Sequence, residues 1–225
     1  RTLPKECMQT TRLNSILDVN PSDWDALNPS GYPGLLHGVL ASLEVSGSVG
    51  GHTGWIPYFL VTRDAHGLAG AMVVFLKTHS YGEYVFDWAW ADAYARNGQN
   101  YYPKAITAVP FTPATGPRIL LRPECDAAQV RDALIEPLRR ELWPQVSSWH
   151  VLFPDSTSAD LLRSEAPLER HGVQFHWHND GLTDFDEHLA RFTSKRRKEV
   201  RRERRRGAEQ GVTLRQFAGH ELTDE

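Results

Sequence analysis

Between residues 34 and 77 the spacing of apolar positions changes once, from a helical to an extended period. Leu36, Val39, Leu40 and Leu43 stand at i, i+3, i+4 and i+7, which predicts a helix ending near Ser46 and Gly47. Tyr58–Arg63 and Leu68–Lys77 are then rich in Val, Phe and Leu around Asp64-Ala65-His66-Gly67, and read as two strands of a hairpin. Residues 78–100 read as a loop dense in aromatic and ionisable groups. Ala105–Phe111 reads as a strand, and the proline-punctuated turn Thr112–Pro117 leads into Arg118–Leu121.

Asp126 with Gln129 three positions later opens a helix, with Val130, Leu134, Leu138 and Leu142 behind it at four-residue intervals and Pro137 set to kink it. Trp149–Phe153 reads as a buried strand, Ser158–Glu165 as a short helix and Val173–Trp177 as another strand. From Thr183, with Asp186 at the capping-box position, one long helix is predicted to Gly211, with Phe185, Leu189 and Phe192 on one side of its first half. Val212–Phe217 reads as a strand, and Leu222–Glu225 looks like the opening of a further helix. This order describes a mixed α/β layer structure followed by the first piece of a second unit.

Charge changes the picture at one place. Residues 195–206 hold nine of the 25 basic residues against Glu199 and Glu203, a local +7 in a chain of net charge −3. Placed on a helical wheel, these cations run nearly all the way round. An anionic partner is expected: a phosphate-bearing substrate, nucleic acid, or an acidic face of the same protein. RNA reading by stacking would call for interleaved aromatic residues, and the run has none. The two cysteines, Cys7 and Cys125, form no metal or redox spacing and point to a reducing compartment, with the cytosol as default. No apolar stretch is long enough to span a bilayer.

Three groups of residues invite chemistry. The glycine-rich stretch 47–54 follows a helix and precedes a strand, so it reads as a flexible connector; a phosphate cradle feeds a helix N-terminus. His176 and His178, with His171 upstream, alternate along the predicted strand 173–177; no carboxylate or cysteine supports them at short spacing, so a lining role is favoured over metal. Between Lys77 and Arg118 the sequence concentrates His79, Tyr81, Glu83, Tyr84, Asp87, Trp88, Trp90, Tyr101, Tyr102 and Lys104. Rings that wall a space and ionisable groups that bond and transfer protons are the composition of a ligand cleft; the bland alternative is a core with polar groups turned to solvent.

The strings His79–Trp88, Tyr101–Lys104, Val109–Arg118, Gln174–Trp177 and Arg196–Arg204, in this order, resemble the FemAB-like branch of the GNAT acyltransferase superfamily, often labelled peptidoglycan biosynthesis proteins. The resemblance covers nearly all of residues 20–225. It implies a GNAT-like mixed β-sheet flanked by helices over 1–183, a long basic connecting helix over 184–211, and the beginning of a second, truncated GNAT-like domain over 212–225. It further implies a bacterial, cytoplasmic protein that moves an acyl or aminoacyl group to an amine, without a metal. The donor would be acyl-CoA or aminoacyl-tRNA; the partners would be a small-molecule amine or cell-wall precursor, tRNA, and the second domain of the same protein.

On this reading Glu83, Asp87 or His79 is the general base. Tyr81, Tyr84, Trp88, Trp90, Lys104, Arg118 and His176 shape the acceptor site, and Arg196, Arg197, Arg201 and Arg202 meet a phosphate. The superfamily's pyrophosphate loop, Arg/Gln-x-x-Gly-x-Gly/Ala between strand and helix, is not recognisable here. The alternative is a non-catalytic module that holds RNA or another polyanion through the basic helix.

Overall fold

Strand runs that are apolar at nearly every position belong to sheets covered on both faces. The computed structural model describes residues 8–218 and 221 and forms the hairpin at the expected place. The strands are β1 (Gln9–Leu13), β2 (Trp55–Pro57), β3 (Phe59–Asp64), β4 (Gly67–Met72), β5 (Val74–Lys77), β6 (Lys104–Thr107), β7 (Leu120–Leu121) and β8 (Trp149–Val151). The helices are α1 (Pro21–Asp25), α2 (His37–Val45), α3 (Trp88–Arg96), α4 (Ala127–Pro137), α5 (Ser156–Leu162), α6 (Phe185–Ala190) and α7 (Ser194–Glu209). They fall into two compact units, Arg1–Glu169 and Arg170–Glu225.

In the first unit the strands are ordered β1-β3-β4-β7 in one sheet and β2-β5-β6-β8 in the other. One long hairpin serves both, because β2 runs into β3 and β4 into β5, with Tyr58 N donating to Val74 O at 2.8 Å where the arms break. All pairs are antiparallel except β6 with β8, so the sheet content is mixed. Successive residues of the arms point to opposite faces. Phe59, Val61, Val73 and Phe75 enter a core with Trp24 of α1 and Leu40 of α2. Tyr58, Leu60, Met72 and Val74 enter another with Val130, Leu134 and Ile135 of α4. Helices therefore flank the strands on both faces, the mixed α/β arrangement that the sequence predicts.

Gly70 sets how closely α4 approaches. A Cβ there would stand 2.3 Å from Val130 Cγ1 and 2.9 Å from the backbone oxygen of Leu120. Asp126 opens α4 as expected, accepting from the amides of Ala128 and Gln129 at 3.0 and 3.1 Å. At Pro137, which has no amide hydrogen to give, the helix passes into a π-turn over Leu138–Leu142. The carbonyl of Ala133 that Pro137 leaves without its i+4 donor takes a hydrogen bond from Thr10 Oγ1 of β1 at 2.9 Å.

Several expectations are corrected. Residues 88–96 form α3 where a loop was expected; alanines at 89, 91, 93 and 95 favour helix, and Asp92 pairs with Arg96 at 2.6 Å. The strand expected over 105–111 ends at Thr107. The stretch 47–54 is an ordered turn, with Gly50 bridging to Trp55 and a 3-10 turn over Gly51–Thr53. Neither 173–177 nor 212–217 forms a strand; among the described residues neither has a neighbouring strand to take its amides and carbonyls, and Val173 and Phe175 are exposed. The helix opening expected at Leu222–Glu225 lies outside the described residues.

In the second unit the single helix predicted over 184–211 is two helices, interrupted at 191–193. Thr193 restarts the chain by capping α7, accepting from Arg196 N at 3.4 Å. The Arg197 guanidinium turns back to the end of α6, donating to the carbonyls of Leu189, Ala190 and Phe192 at 3.0, 2.9 and 3.0 Å. One helical turn on, Arg201 pairs with Asp186 at 3.0 Å, and Arg204 lies 4.1 Å above the Phe185 ring. Arg197, Arg201 and Arg204 follow the i, i+4, i+7 spacing, so one face of the cationic helix is spent on α6.

Candidate active site

The site begins with a row across three strands. In register, Trp55 of β2 pairs with Lys77 of β5, and Lys77 pairs with Lys104 of β6. Both lysines are fully buried at the end of strands whose other side chains are apolar except for Thr107. Two ammoniums in that position require anions, since buried charge persists only when paired.

The loop that leaves β5 supplies them. Residues 78–87 cross the row as a strap that turns Ser80, Glu83 and Asp87 inward. Lys104 Nζ donates to Glu83 Oε2 at 2.7 Å, to Ser80 Oγ at 2.9 Å and to Asp87 Oδ2. Tyr101 OH donates to the same Asp87 oxygen at 2.7 Å, and Tyr102 OH lies 2.9 Å from Ser80 Oγ. Lys77 Nζ sits 3.7 Å from the centre of the Trp55 ring, donates to Tyr81 O at 3.1 Å and lies 4.0 Å from Glu83 Oε1. Three buried polar atoms of this cluster have no hydrogen-bond partner: Trp55 Nε1, Glu83 Oε1 and Asp87 Oδ1. Each such orphan costs about 1–3 kcal/mol.

The two carboxyls are driven apart. Burial raises the pKa of Glu83 above the usual carboxylate range, against the hydrogen bond from Lys104 and the charges of Lys104 and Lys77. Asp87 meets the same burial, but the hydrogen bonds of Lys104, Ser80 and Tyr101 outweigh it and hold its pKa below the ordinary value. Burial lowers Lys77 to about 8, with Glu83 opposing and Lys104 adding to the effect. Tyr101 is raised, by burial and then by its bond to Asp87, so it remains a phenol donor. His150, whose ring centroid lies 6.4 Å from that of Tyr101, is lowered to about 4 by burial and the Lys104 charge.

The structure thus brings together Glu83, Asp87 and Lys104 from the residues given a role at sequence level and Tyr101 and Tyr102 from the cleft cluster, and adds Trp55, Lys77, Ser80 and His150. The rings of Tyr81, Tyr84, Trp88 and Trp90 lie on the outside of the strap and α3, exposed, and do not wall an interior space. Tyr81 and Trp88 meet edge to face at 5.2 Å. His79 is committed elsewhere: its Nδ1 accepts from Tyr81 N at 3.2 Å, so its Nε2 carries the hydrogen that reaches Thr53 O at 2.9 Å. Gly54 makes room for that imidazole, with φ +69° and a Cβ position only 2.4 Å from His79 Nε2.

Arg118 is buried apart from the cluster. Its guanidinium donates to the carbonyls of Leu152, Pro117 and Ala114 at 2.6, 2.8 and 2.7 Å, which ties the turn 114–118 to the end of β8. His176 lies in the second unit, exposed and stacked on His178 at 6.2 Å. Of the arginines predicted to meet phosphate, Arg197 and Arg201 serve α6, Arg196 pairs with Glu199 at 2.7 Å, and Arg202 is exposed. Among the described residues no three His, Cys, Asp or Glu side chains are grouped to hold a metal, and no helix is long and apolar enough to cross a membrane.

Doubly flanked mixed strands closed at one end by a buried ionic cluster define an α/β protein with a candidate polar site under a loop. The chain belongs to the FemAB-like family, described as peptidoglycan biosynthesis/recognition, which matches residues 15–225. No curated protein sequence matches it. Among solved structures, an aminoglycoside N-acetyltransferase, AAC(6')-Iy in complex with CoA, aligns over 79% of this chain and 99% of its own, at 13% identity and a TM-score of 0.46.

Proposed function

We propose that the chain is an N-acyltransferase that acylates an amine of peptidoglycan or of a peptidoglycan precursor, with Glu83 as the general base. Family membership supports the substrate area. The observation that carries the chemistry is the pair Glu83 and Asp87 on one lysine with pKa values pushed in opposite directions, the pattern that separates a proton acceptor from a fixed charge. As the amine nitrogen bonds to the acyl carbon, the bond from that carbon to its sulfur or oxygen leaving group breaks. The nitrogen's proton passes to Glu83 Oε1, the oxygen with no hydrogen bond of its own. Asp87 stays ionised, fixes Lys104 and Tyr101, and so positions Glu83.

The donor is an activated acyl compound, acyl-CoA or aminoacyl-tRNA. The start of α4, where a strand-to-helix loop would grip a pyrophosphate, has the amides of Ala128 and Gln129 bonded to the Asp126 carboxylate. A CoA pyrophosphate would have to bind elsewhere.

The test is transfer by the purified chain from acetyl-CoA and from aminoacyl-tRNA to muramyl peptides that carry a free amine. Glu83→Gln is expected to lower kcat about 100-fold or more with little change in KM. Asp87→Asn should lower kcat less and reduce Tm as well. Unchanged rates in both variants would remove the pair from catalysis. The polyanion reading retains the exposed Lys195, Lys198, Arg202 and Arg206 of α7, and Arg205, which pairs with Glu209 at 3.5 Å. It requires binding to RNA that weakens steeply with salt and survives Glu83→Gln.

A further inference from the structure

The strap 78–87 has its polarity reversed. Ser80, Glu83 and Asp87 point inward, while Tyr81, Tyr84 and Phe86 are 67%, 55% and 77% exposed. Hydrophobic burial favours the opposite. Tyr84 is held in the left-handed region at φ +58°, a conformation that non-glycine residues adopt when surroundings force it. Beneath the strap the unfilled hydrogen-bonding capacity is of both kinds. Glu83 Oε1 and Asp87 Oδ1 lack donors, and Trp55 Nε1 lacks an acceptor. Lys77 Nζ has three hydrogens, and Tyr81 O takes one of them. The two lysines and two carboxylates sum to zero formal charge, so a ligand that joins them without adding net charge is favoured.

We propose that the strap, when it lifts, and the strand row beneath it form a binding site for a zwitterionic α-amino acid group, its ammonium taken by Glu83 Oε1 and Asp87 Oδ1 and its carboxylate by Lys77 and Trp55 Nε1. This deepens the acyltransferase reading, on which it rests for the identity of the amine to be acylated. Entry requires the strap to swing outward against the bonds of Ser80, Glu83 and Asp87 to Lys104, while its exposed rings and the left-handed Tyr84 add little that opposes the movement. The same group occurs in a free amino acid and at the side-chain end of a diamino dicarboxylic acid within a peptide.

Hydrogen–deuterium exchange across 78–87 in the full chain, with no acyl donor present, tests binding apart from transfer. Alanine and a tripeptide ending in diaminopimelate supply the zwitterion; alanine methyl ester lacks the carboxylate and N-acetylalanine lacks the ammonium. Protection of the strap amides by about tenfold with either zwitterion supports the site; alanine acting indicates a free amino acid, and the tripeptide alone acting indicates a peptide end. Lys77→Met should abolish the protection. Trp55→Phe keeps the ring under Lys77 and removes only the N–H donor, and should weaken binding about fivefold while Tm is retained. Equal protection by the ester or by N-acetylalanine would overturn the assignment, as would unaltered exchange with both zwitterions. Either of those results, in a chain that still transfers acyl groups, would leave the acyltransferase reading standing.

Discussion

Lys77 and Lys104 stand directly opposite each other on antiparallel strands, two fully buried ammoniums in register. Side chains so paired have Cβ atoms about 4.5–5.5 Å apart, and like charges there are destabilising. The carboxylates that offset this repulsion come from a loop and not from the sheet, so the closure of the strap and the integrity of the sheet end depend on each other.

Lys104→Met tests that dependence. It would strand Glu83 and Asp87 in the interior without their common donor, and removal of one partner from a buried pair costs about 3–5 kcal/mol. Urea unfolding should show a loss of that size, and limited proteolysis should become fast within 78–87.

Stability should also depend on pH in two windows. The folded-state pKa of His150 is lowered from 6.5 to about 4, so the unfolded chain takes the proton first. Its contribution is present above pH 6.5 and lost as pH falls toward 4. Lys77 is lowered from 10.5 to about 8, so its contribution is present above 10.5 and lost as pH falls to 8. Glu83 and Tyr101, both raised, act in the opposite sense over overlapping ranges, so each window is read as the wild-type melt minus that of a variant lacking the group, a difference that should rise from pH 4 to 6.5 and again from 8 to 10.5. His150→Gln supplies the first difference and Lys77→Met the second.

Gly70→Ala should destabilise the first unit by about 1–3 kcal/mol, the range for an over-packed core. The added methyl meets Val130 on one side and the Leu120 carbonyl on the other, and only the valine can shift. Equilibrium denaturation measures the loss; an unchanged midpoint would mean that α4 moves off the sheet without penalty.

Arg197→Ala should loosen the second unit. With three carbonyls at the end of α6 left to water, amides of 185–192 are expected to exchange about tenfold faster, a change of about 1.4 kcal/mol. Lys198→Ala, at an exposed position next to it, should leave those amides unaffected.

Much of the scaffold was legible because its signals are local. The apolar runs on either side of Asp64–Gly67 give the hairpin, and Asp126 gives the start of α4 through its own side chain. Helix α3 was hidden because Trp88-Ala89-Trp90-Ala91 alternates like a strand and the helix buries no face. The break at 191–193 rests on Arg197 folding back, which helical spacing treats as one cation among many. At the site, Glu83, Asp87 and Lys104 were found from composition, but the sides of the strap were not: rings and ionisable groups alike were expected to face the cleft. Lys77 carried a usable signal, a lysine closing a strand run with no other polar residue between 71 and 76. Its pairing with Lys104 required the register.

The hairpin that runs through both sheets also bears on how the chain reaches this state. Its arms meet across a two-residue turn, so the central β3–β4 ladder of one sheet and the outer β2–β5 ladder of the other form with little loop-closure entropy, whereas β6 and β8 must find each other across some forty residues. Substitutions in the arms, such as Val61→Ala or Phe75→Leu, should slow refolding, while Val151→Ala should chiefly hasten unfolding. The row of Trp55, Lys77 and Lys104 is then assembled in two stages, its first two members early and its third only when the parallel edge is in place.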